Sequence, residues 1–351
     1  MQTKSSTSPT PASGAAPVDT SLASVVARIG QAREFGLLVV LAVIIAFVGV
    51  QQPRFLQISN FEHILQSIAI IAIVAVGETL VILTRNVDLS VGSVVGFSAF
   101  ASANLLKNHP SLNLLLVFLF GCAIGAVLGA VNGLLVAYAG IPAIVVTLGT
   151  LNIYRGLDFA VAGGSEVSAF QVPTAFLNIA GDYVLGIPLL VIIAAAIALI
   201  AGYFLRYSRQ GRQLYAIGSN PDAARVVGIR KSRLTFMAFL TTGILSGFAG
   251  VLWASYFATI NSGAAGGLEL LVIAAVVVGG VNIFGGSGTM LGAMLGAIVL
   301  GVIQNALGVL RVDQFWLQAI YGAAILIAVT LDALVTRQVQ RLLIARRAQR
   351  E

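Results

Sequence analysis

The stretch RYSRQGRQLYAIGSNPDAARVVGIRKSR, Arg206 to Arg233, holds seven of the chain's 20 lysines and arginines, yet it separates two long runs that contain no charge. Only 9% of all residues are charged, against about 25% in soluble globular proteins. With 58% hydrophobic residues, a water-soluble fold could not cover its own surface. The chain therefore reads as a membrane protein, its length counts in spans of about 20 residues, and the island is a loop between two of them.

Working outward from the island, about ten apolar segments follow the span pattern, at roughly 35–50, 64–84, 89–106, 113–139, 143–162, 184–204, 234–258, 269–284, 290–310 and 315–334. The first and eighth are short. The junctions at Thr84 to Leu89 and Gly140 to Ala143 are either loops or breaks inside the membrane. Charge sets the orientation. With the N-terminus inside, Lys4, Arg28, Arg33, Arg85, the seven basic residues of the island and Arg337, Arg341, Arg346, Arg347 and Arg350 fall on the cytoplasmic side, whereas only Arg54, Lys107 and Arg311 fall outside. Trp253, Tyr256 and Trp316 then sit at outer helix ends, and Tyr203 and Tyr207 at an inner end, as an aromatic belt requires.

The expected architecture is all-α and polytopic, with both termini cytoplasmic. Residues 1–32, rich in Ser, Thr, Pro and Ala, are predicted to be a disordered cytoplasmic tail; no apolar core follows the start closely enough for a signal peptide. Residues 33–336 form the transmembrane body, with its loop at 206–233, and residues 337–351 a basic cytoplasmic tail. Gly121, Gly125, Gly129 and Gly133 recur every four residues, and Gly292 with Gly296 repeats the spacing, which predicts flat helix faces that allow close backbone approach. A faint internal duplication links AVGETLVILTRNVDLSVGSVVGFSA (75–99) with AVVVGGVNIFGGSGTMLGAMLGA (275–297): each reads as helix, polar or glycine-rich break, helix.

Several function classes drop out. Cys122, the one cysteine, excludes an internal disulfide or a cysteine zinc cluster. Neither His63 nor His109 has the neighbours of a metal site or of a nucleophile and its base. Lys4, Lys107 and Lys231 all lack the glycine that precedes the lysine of a phosphate-binding loop, so the chain binds no nucleotide of its own. The net charge of +7 follows membrane topology rather than a nucleic-acid surface.

Within the island, Ser219 or Asn220 is a good N-cap, Pro221 suits the first helical position, Asp222 favours the positive end of the dipole and Gly228 can close the helix after Val227. NPDAARVVG thus predicts a short extramembrane helix. Ala223, Ala224, Val226 and Val227 would form an apolar patch around Arg225, suited to another protein, or to resting on headgroups.

A second polar group lies within the spans. A charge in the bilayer costs about 2.5–3.5 kcal/mol, so Glu78, Arg155, Asp158 and Glu269 face protein or a water-filled path. Arg155 and Asp158, one turn apart, are placed to neutralise each other. In TRNVDLS, the residues Thr84, Arg85, Asn86, Asp88 and Ser90 can cap helix ends around a break, with Asp88 as N-cap of the following segment.

These features together resemble a known family. The island, LTRNVDLSVGS (83–93), IPAIVVTLGTLNIYRG (141–156) and AAVVVGGVNIFGGSGT (274–289) look like the membrane permease of bacterial ATP-binding cassette importers for ribose, xylose, rhamnose and related sugars. The resemblance covers about residues 35–335. It implies a dimer of permeases, homo- or heteromeric, a periplasmic sugar-binding protein, and cytoplasmic ATPases that use ATP and Mg while this chain binds neither. It makes the island helix the coupling helix seated in an ATPase groove, with Gly211, Gly218, Asn220, Pro221, Asp222, Ala223, Ala224, Arg225 and Gly228 as coupling residues. It also places Thr147 and Asn152 with Glu78, Thr84, Arg85, Asn86, Asp88, Ser90, Arg155, Asp158 and Glu269 along the translocation path or its gate. The Arg85-Asn86 pair is closer to rhamnose and autoinducer-2 permeases than to ribose permeases. An ion-coupled secondary transporter is the rival from another class, because coupling ions need titratable groups near the midplane.

Overall fold

The computed structural model of the chain describes residues 20–330 except Gln314, with the backbone alone for residues 20–33. The long helices are α1 (Thr20–Gln51), α2 (Ile58–Leu83), α3 (Val91–Asn108), α4 (Leu114–Ala137), α5 (Ala143–Ala162), α7 (Leu189–Tyr207), α10 (Lys231–Phe257), α12 (Met290–Val309) and α13 (Phe315–Thr330). Shorter ones are α6 (Thr174–Gly181), α8 (Arg209–Ser219), α9 (Pro221–Val226) and α11 (Leu268–Val278). A two-stranded hairpin, β1 (Tyr183–Val184) with β2 (Ile187–Pro188), precedes α7.

Every predicted apolar segment has a helix on it. Seven helices among the described residues are long and apolar enough to cross a membrane, and α11 and α13 are shorter apolar helices. With the 18-residue α3 they account for the segments read from the sequence. The eighth segment, expected to reach residue 284, stops at Val278, because Gly279 and Gly280 follow and Gly280 takes a left-handed φ of 102°.

Two boundaries move. The tail assigned to 1–32 is helical from Thr20, where a run without proline joins the first span. Residues 1–19 and the basic tail at 337–351 lie outside the described residues. The island, expected to be a loop with one short helix, is mostly helical: Ser208 caps α8, its hydroxyl accepting from the Gly211 amide at 2.8 Å, and Leu214 and Ile217 bury one face.

α2 is the central post, buried over 89% of its apolar window and flanked by α10, α7, α12 and α11. α4 and α10 lie against each other through glycine. A methyl group on Gly125 would strike the carbonyl of Gly243, one on Gly121 would meet the carbonyl of Gly247, and one on Gly129 the carbonyl of Phe239. Gly292 and Gly296 pack in the same way on Gly279, just past the end of α11, and on Ala275 within it. In lipid, where no hydrophobic effect draws helices together, such close backbone approach is a main source of packing energy.

The bundle has two distinct ends. At one, Leu83, Gly218 and Gly286 converge. At the other, Val167 pairs with Ile260, Gln66 donates to the Ala180 carbonyl at 3.1 Å, and Ser255 donates to the Phe176 carbonyl at 2.7 Å.

Candidate functional site

At the first end, α9 is built as its sequence dictates. Asn220 stands at the N-cap with extended backbone, and its side-chain oxygen accepts from the Ala223 amide at 3.0 Å. Pro221 fills the first helical position, where a missing N–H costs nothing. Gly228, with φ 77°, ends the helix, its amide donating to the Arg225 carbonyl and that of Ile229 to Ala224. A helix this short is marginal by itself, so caps and packing hold it. Asp222, Ala223 and Arg225 are exposed, as are Val226 (87%) and Val227 (72%). Ala224, expected in the exposed patch, is instead buried: it is the residue by which α9 sits on the body.

Gly211 and Gly218, expected among the coupling residues, also turn inward. A side chain on Gly211 would strike the Phe204 carbonyl, and one on Gly218 would strike the Leu83 carbonyl and the Gly286 amide. They set how closely α8 lies on the bundle and offer no docking surface.

Beneath α9 the two breaks meet. Arg85, in the left-handed region with φ 66°, donates from Nε to the Gly218 carbonyl at 2.5 Å and from Nη2 to the Ser219 carbonyl at 2.8 Å. The Gly286 amide donates to the Leu83 carbonyl at 3.2 Å. Tyr215 on α8 donates to the Gly288 carbonyl at 3.0 Å. The TRNVDLS break between α2 and α3, the glycine-rich break between α11 and α12, and the last turn of α8 therefore form one junction. Burial pushes the Tyr215 phenol above its ordinary pKa.

A buried polar network leads from this junction into the bundle. The Asp88 amide donates to Glu78 Oε1 at 3.0 Å, and Asp88 Oδ1 accepts from the Ser90 amide at 2.9 Å and the Ser90 hydroxyl at 2.6 Å. Asn132 donates to Ser90 Oγ at 2.8 Å, and Tyr154 donates to the Leu128 carbonyl at 2.9 Å and to Asn132 Oδ1 at 3.3 Å. Thr147 reaches the Val87 carbonyl at 3.3 Å. Thr84 donates to the Val81 carbonyl and accepts from Asn86. Asp88 is not the N-cap of α3; that position is Ser90, and Asp88 instead closes a tight turn onto it.

Nearer the other end, Arg155 Nη1 donates to the Ala264 carbonyl at 2.6 Å and stands 3.9 Å from Asp158 Oδ2. The expected pair is thus close, but the strong bond goes to a backbone carbonyl. Asp158 and Glu269 Oε2 are buried without hydrogen-bond partners among the described residues. Asn152 joins neither group: it is exposed on the outer face of α5 and, among the described residues, donates only to Leu148 of its own helix.

Two network residues, Asn132 and Tyr154, and the partner glycines Gly243 and Gly247 escaped the reading of the sequence. A lone asparagine in the apolar α4, set between Gly129 and Gly133, was the available signal. Among the described residues no group of three or more histidine, cysteine, aspartate or glutamate side chains is placed to hold a metal.

Residues 60–329 match the family described as branched-chain amino acid transport system / permease component. The chain is 35% identical over 292 residues to the probable ABC transporter permease protein y4mJ of Sinorhizobium fredii, covering 83% of this chain and 86% of that one. It is 38% identical over 289 residues to the autoinducer 2 import system permease protein LsrC of an Enterobacter species, covering 82% and 83%. To the protein of the same name in Salmonella typhi it is 35% identical over 309 residues, covering 88% of each. No solved structure matches the chain. A match over well more than half its length, on a bundle of membrane-crossing helices, shows that the chain belongs to the branched-chain amino acid transport system / permease component family, as an ABC-type, multi-pass permease of the inner membrane.

Proposed function

We propose that the chain forms, with a second permease subunit, the translocation path of an importer for autoinducer 2, loaded by a periplasmic binding protein and driven by cytoplasmic ATPases that dock on α9. In this reading the helices make about ten crossings and both termini are cytoplasmic, following the distribution of basic residues. The observation that carries the reading is the junction: an exposed, double-capped helix whose root Arg85 clamps to the α2–α3 break, while Tyr215 and Gly286 bring in the α11–α12 break. Displacement of α9 by an ATPase would be passed through Gly218 and Ser219 to Arg85, and from there to the feet of α2, α3, α11 and α12. The Glu78–Asp88–Ser90–Asn132–Tyr154 network would carry it on to α4 and α5. Family membership favours this over ion-coupled transport, since a relative covering most of the chain is named an ABC transporter permease.

The names of the LsrC relatives, together with Arg85-Asn86, favour autoinducer 2. A rhamnose- or ribose-like monosaccharide is the second reading, supported by the resemblance of the island and the three other motifs to permeases of sugar importers. Fold does not choose between them. The chain co-reconstituted with its second permease subunit, ATPase and binding protein should take up autoinducer 2 when ATP and Mg are supplied. Saturable uptake of rhamnose or ribose alone would move the assignment to the second reading, and uptake driven by an ion gradient without the ATPase would reject both.

A further inference from the structure

A cavity of about 1300 Å³ runs between α7 and α12 over the side of α2, with Tyr215 of the junction at its α8 end. Ile68 and Ala72 form its floor, Ala194, Ala198 and Gly202 one wall, and Met294 part of the other. It exceeds the roughly 300–1,000 Å³ of pockets for drug-sized ligands. Its rim is apolar and open: Leu199 is 71% exposed, Ile200 70% and Leu291 69%, on helices that cross the membrane, so the entrance faces hydrocarbon. A sugar would find almost no hydrogen-bonding group along its walls.

The end nearest α9 differs. Arg206 and Arg212 line the mouth, and neither is ion-paired among the described residues. Arg206 lies over the Tyr207 ring at 5.5 Å, and Arg212 donates to the Tyr207 carbonyl at 2.8 Å, which fixes both cations beside the opening. Glu34 also lines the mouth and accepts from the Thr289 hydroxyl at 3.0 Å, so the two arginines outweigh one carboxylate. From Val191 to Arg206 the wall runs about 22 Å at 1.5 Å per residue, more than the roughly 15 Å of one leaflet's hydrocarbon. An apolar slot of leaflet length with unpaired cations at its headgroup end matches one class of molecule. We propose that the α7–α12 groove is a binding site for an anionic phospholipid, its chains along α2 and its phosphate between Arg206 and Arg212. Basic pockets between transmembrane helices hold such headgroups by the same physics.

The test uses the full-length chain purified in mild detergent and equilibrated with equal amounts of phosphatidylglycerol and phosphatidylethanolamine, with retained lipid measured by mass spectrometry. The wild-type chain should retain phosphatidylglycerol over phosphatidylethanolamine by roughly tenfold. Arg206→Gln, which breaks no side-chain hydrogen bond among the described residues, should cut that preference about fivefold. Arg206→Gln with Arg212→Gln should abolish it, Ala198→Phe should expel both lipids, and Arg233→Gln, a cation elsewhere on the same side, should change nothing. A wild-type chain without preference, a double variant that keeps it, or an equal loss in Arg233→Gln would overturn the site. So would Ala198→Cys chains that crosslink to each other in native membranes, since a second copy would then fill the groove.

Discussion

Arg85 and Ser219, 134 positions apart, are joined by a 2.8 Å hydrogen bond from the guanidinium to the backbone carbonyl, and a second bond from the same side chain reaches Gly218. One side chain thus ties the break between α2 and α3 to the root of α9.

Arg85→Ala should uncouple ATP hydrolysis from transport. Each charge-assisted bond lost is worth about 1.5–3 kcal/mol. ATPase binding, through α9, should persist while uptake falls at least about tenfold, as a loss of about 1.4 kcal/mol would produce. Arg85→Lys should recover part, because an ammonium can keep one of the two bonds. Uptake and ATP hydrolysis measured side by side on proteoliposomes separate the cases; unchanged uptake would remove Arg85 from the pathway.

Adjacent alanines on α9 should give opposite phenotypes. Ala223→Glu puts a charge on the exposed face and should release the ATPase while the permease accumulates normally. Ala224→Glu buries a charge in the body at a cost of several kcal/mol and should lower permease abundance itself. Pull-down of the ATPase, normalised to permease in the membrane, reads both. Full ATPase retention by Ala223→Glu would reject α9 as the docking helix.

Gly125→Ala and Gly243→Ala should each destabilise the α4–α10 contact by about 1–3 kcal/mol, the cost of overpacking. The two act on one contact, so the double variant should lose less than the sum. Thermal unfolding in detergent measures this. Additive losses would mean that the two glycines do not share a contact in the membrane.

Asn132→Leu should be more destabilising than its modest change in size suggests, since the bonds to Ser90 and from Tyr154 are both lost, at about 0.5–1.5 kcal/mol each. Asn132→Ser, which keeps a hydroxyl, should recover part of the loss. Thermal stability of the two variants that came out equal would show the network to be energetically idle.

Cysteines at Ser165 and Ser219, both exposed and at opposite ends of the bundle, should react with an impermeant thiol reagent from opposite sides of the membrane, Ser219→Cys from the cytoplasmic side. Cys122 is replaced by serine beforehand. Labelling of both from one side would reject the proposed orientation.

How far the sequence carried depends on the range of the interactions. The caps of α9 were legible because Asn220, Pro221 and Gly228 act within a few residues of themselves. α8 was missed because its charges suggested a loop, although Gly211, Leu214, Ile217 and Gly218 recur at helical spacing on its buried face. Asp88 against Ser90 as the cap of α3 could not be decided locally, since both residue types cap well. Gly125 announced a close contact but could not name Gly243, and nothing near Arg85 in sequence points to Gly218. Asn152 looked like its neighbours Thr147 and Arg155 until the rotation of α5 was known; one position out of phase sends its side chain outward.

The shortness of α11 bears on how the chain is made. Eleven residues span about 16 Å, half of a roughly 30 Å hydrocarbon core, with irregular backbone before them and a glycine loop after. Exposed to lipid on first emergence, that backbone would carry unsatisfied polar groups. α11 packs on α2, α3 and α12, and Leu271 to Val277 are all buried. Three of those walls are not equal in time: α2 and α3 leave the ribosome long before it, α12 just after. The last third of the polypeptide therefore completes its insertion by entering a slot that the first third has already shaped, and a truncation after Val278 would leave α11 without the helix that closes that slot.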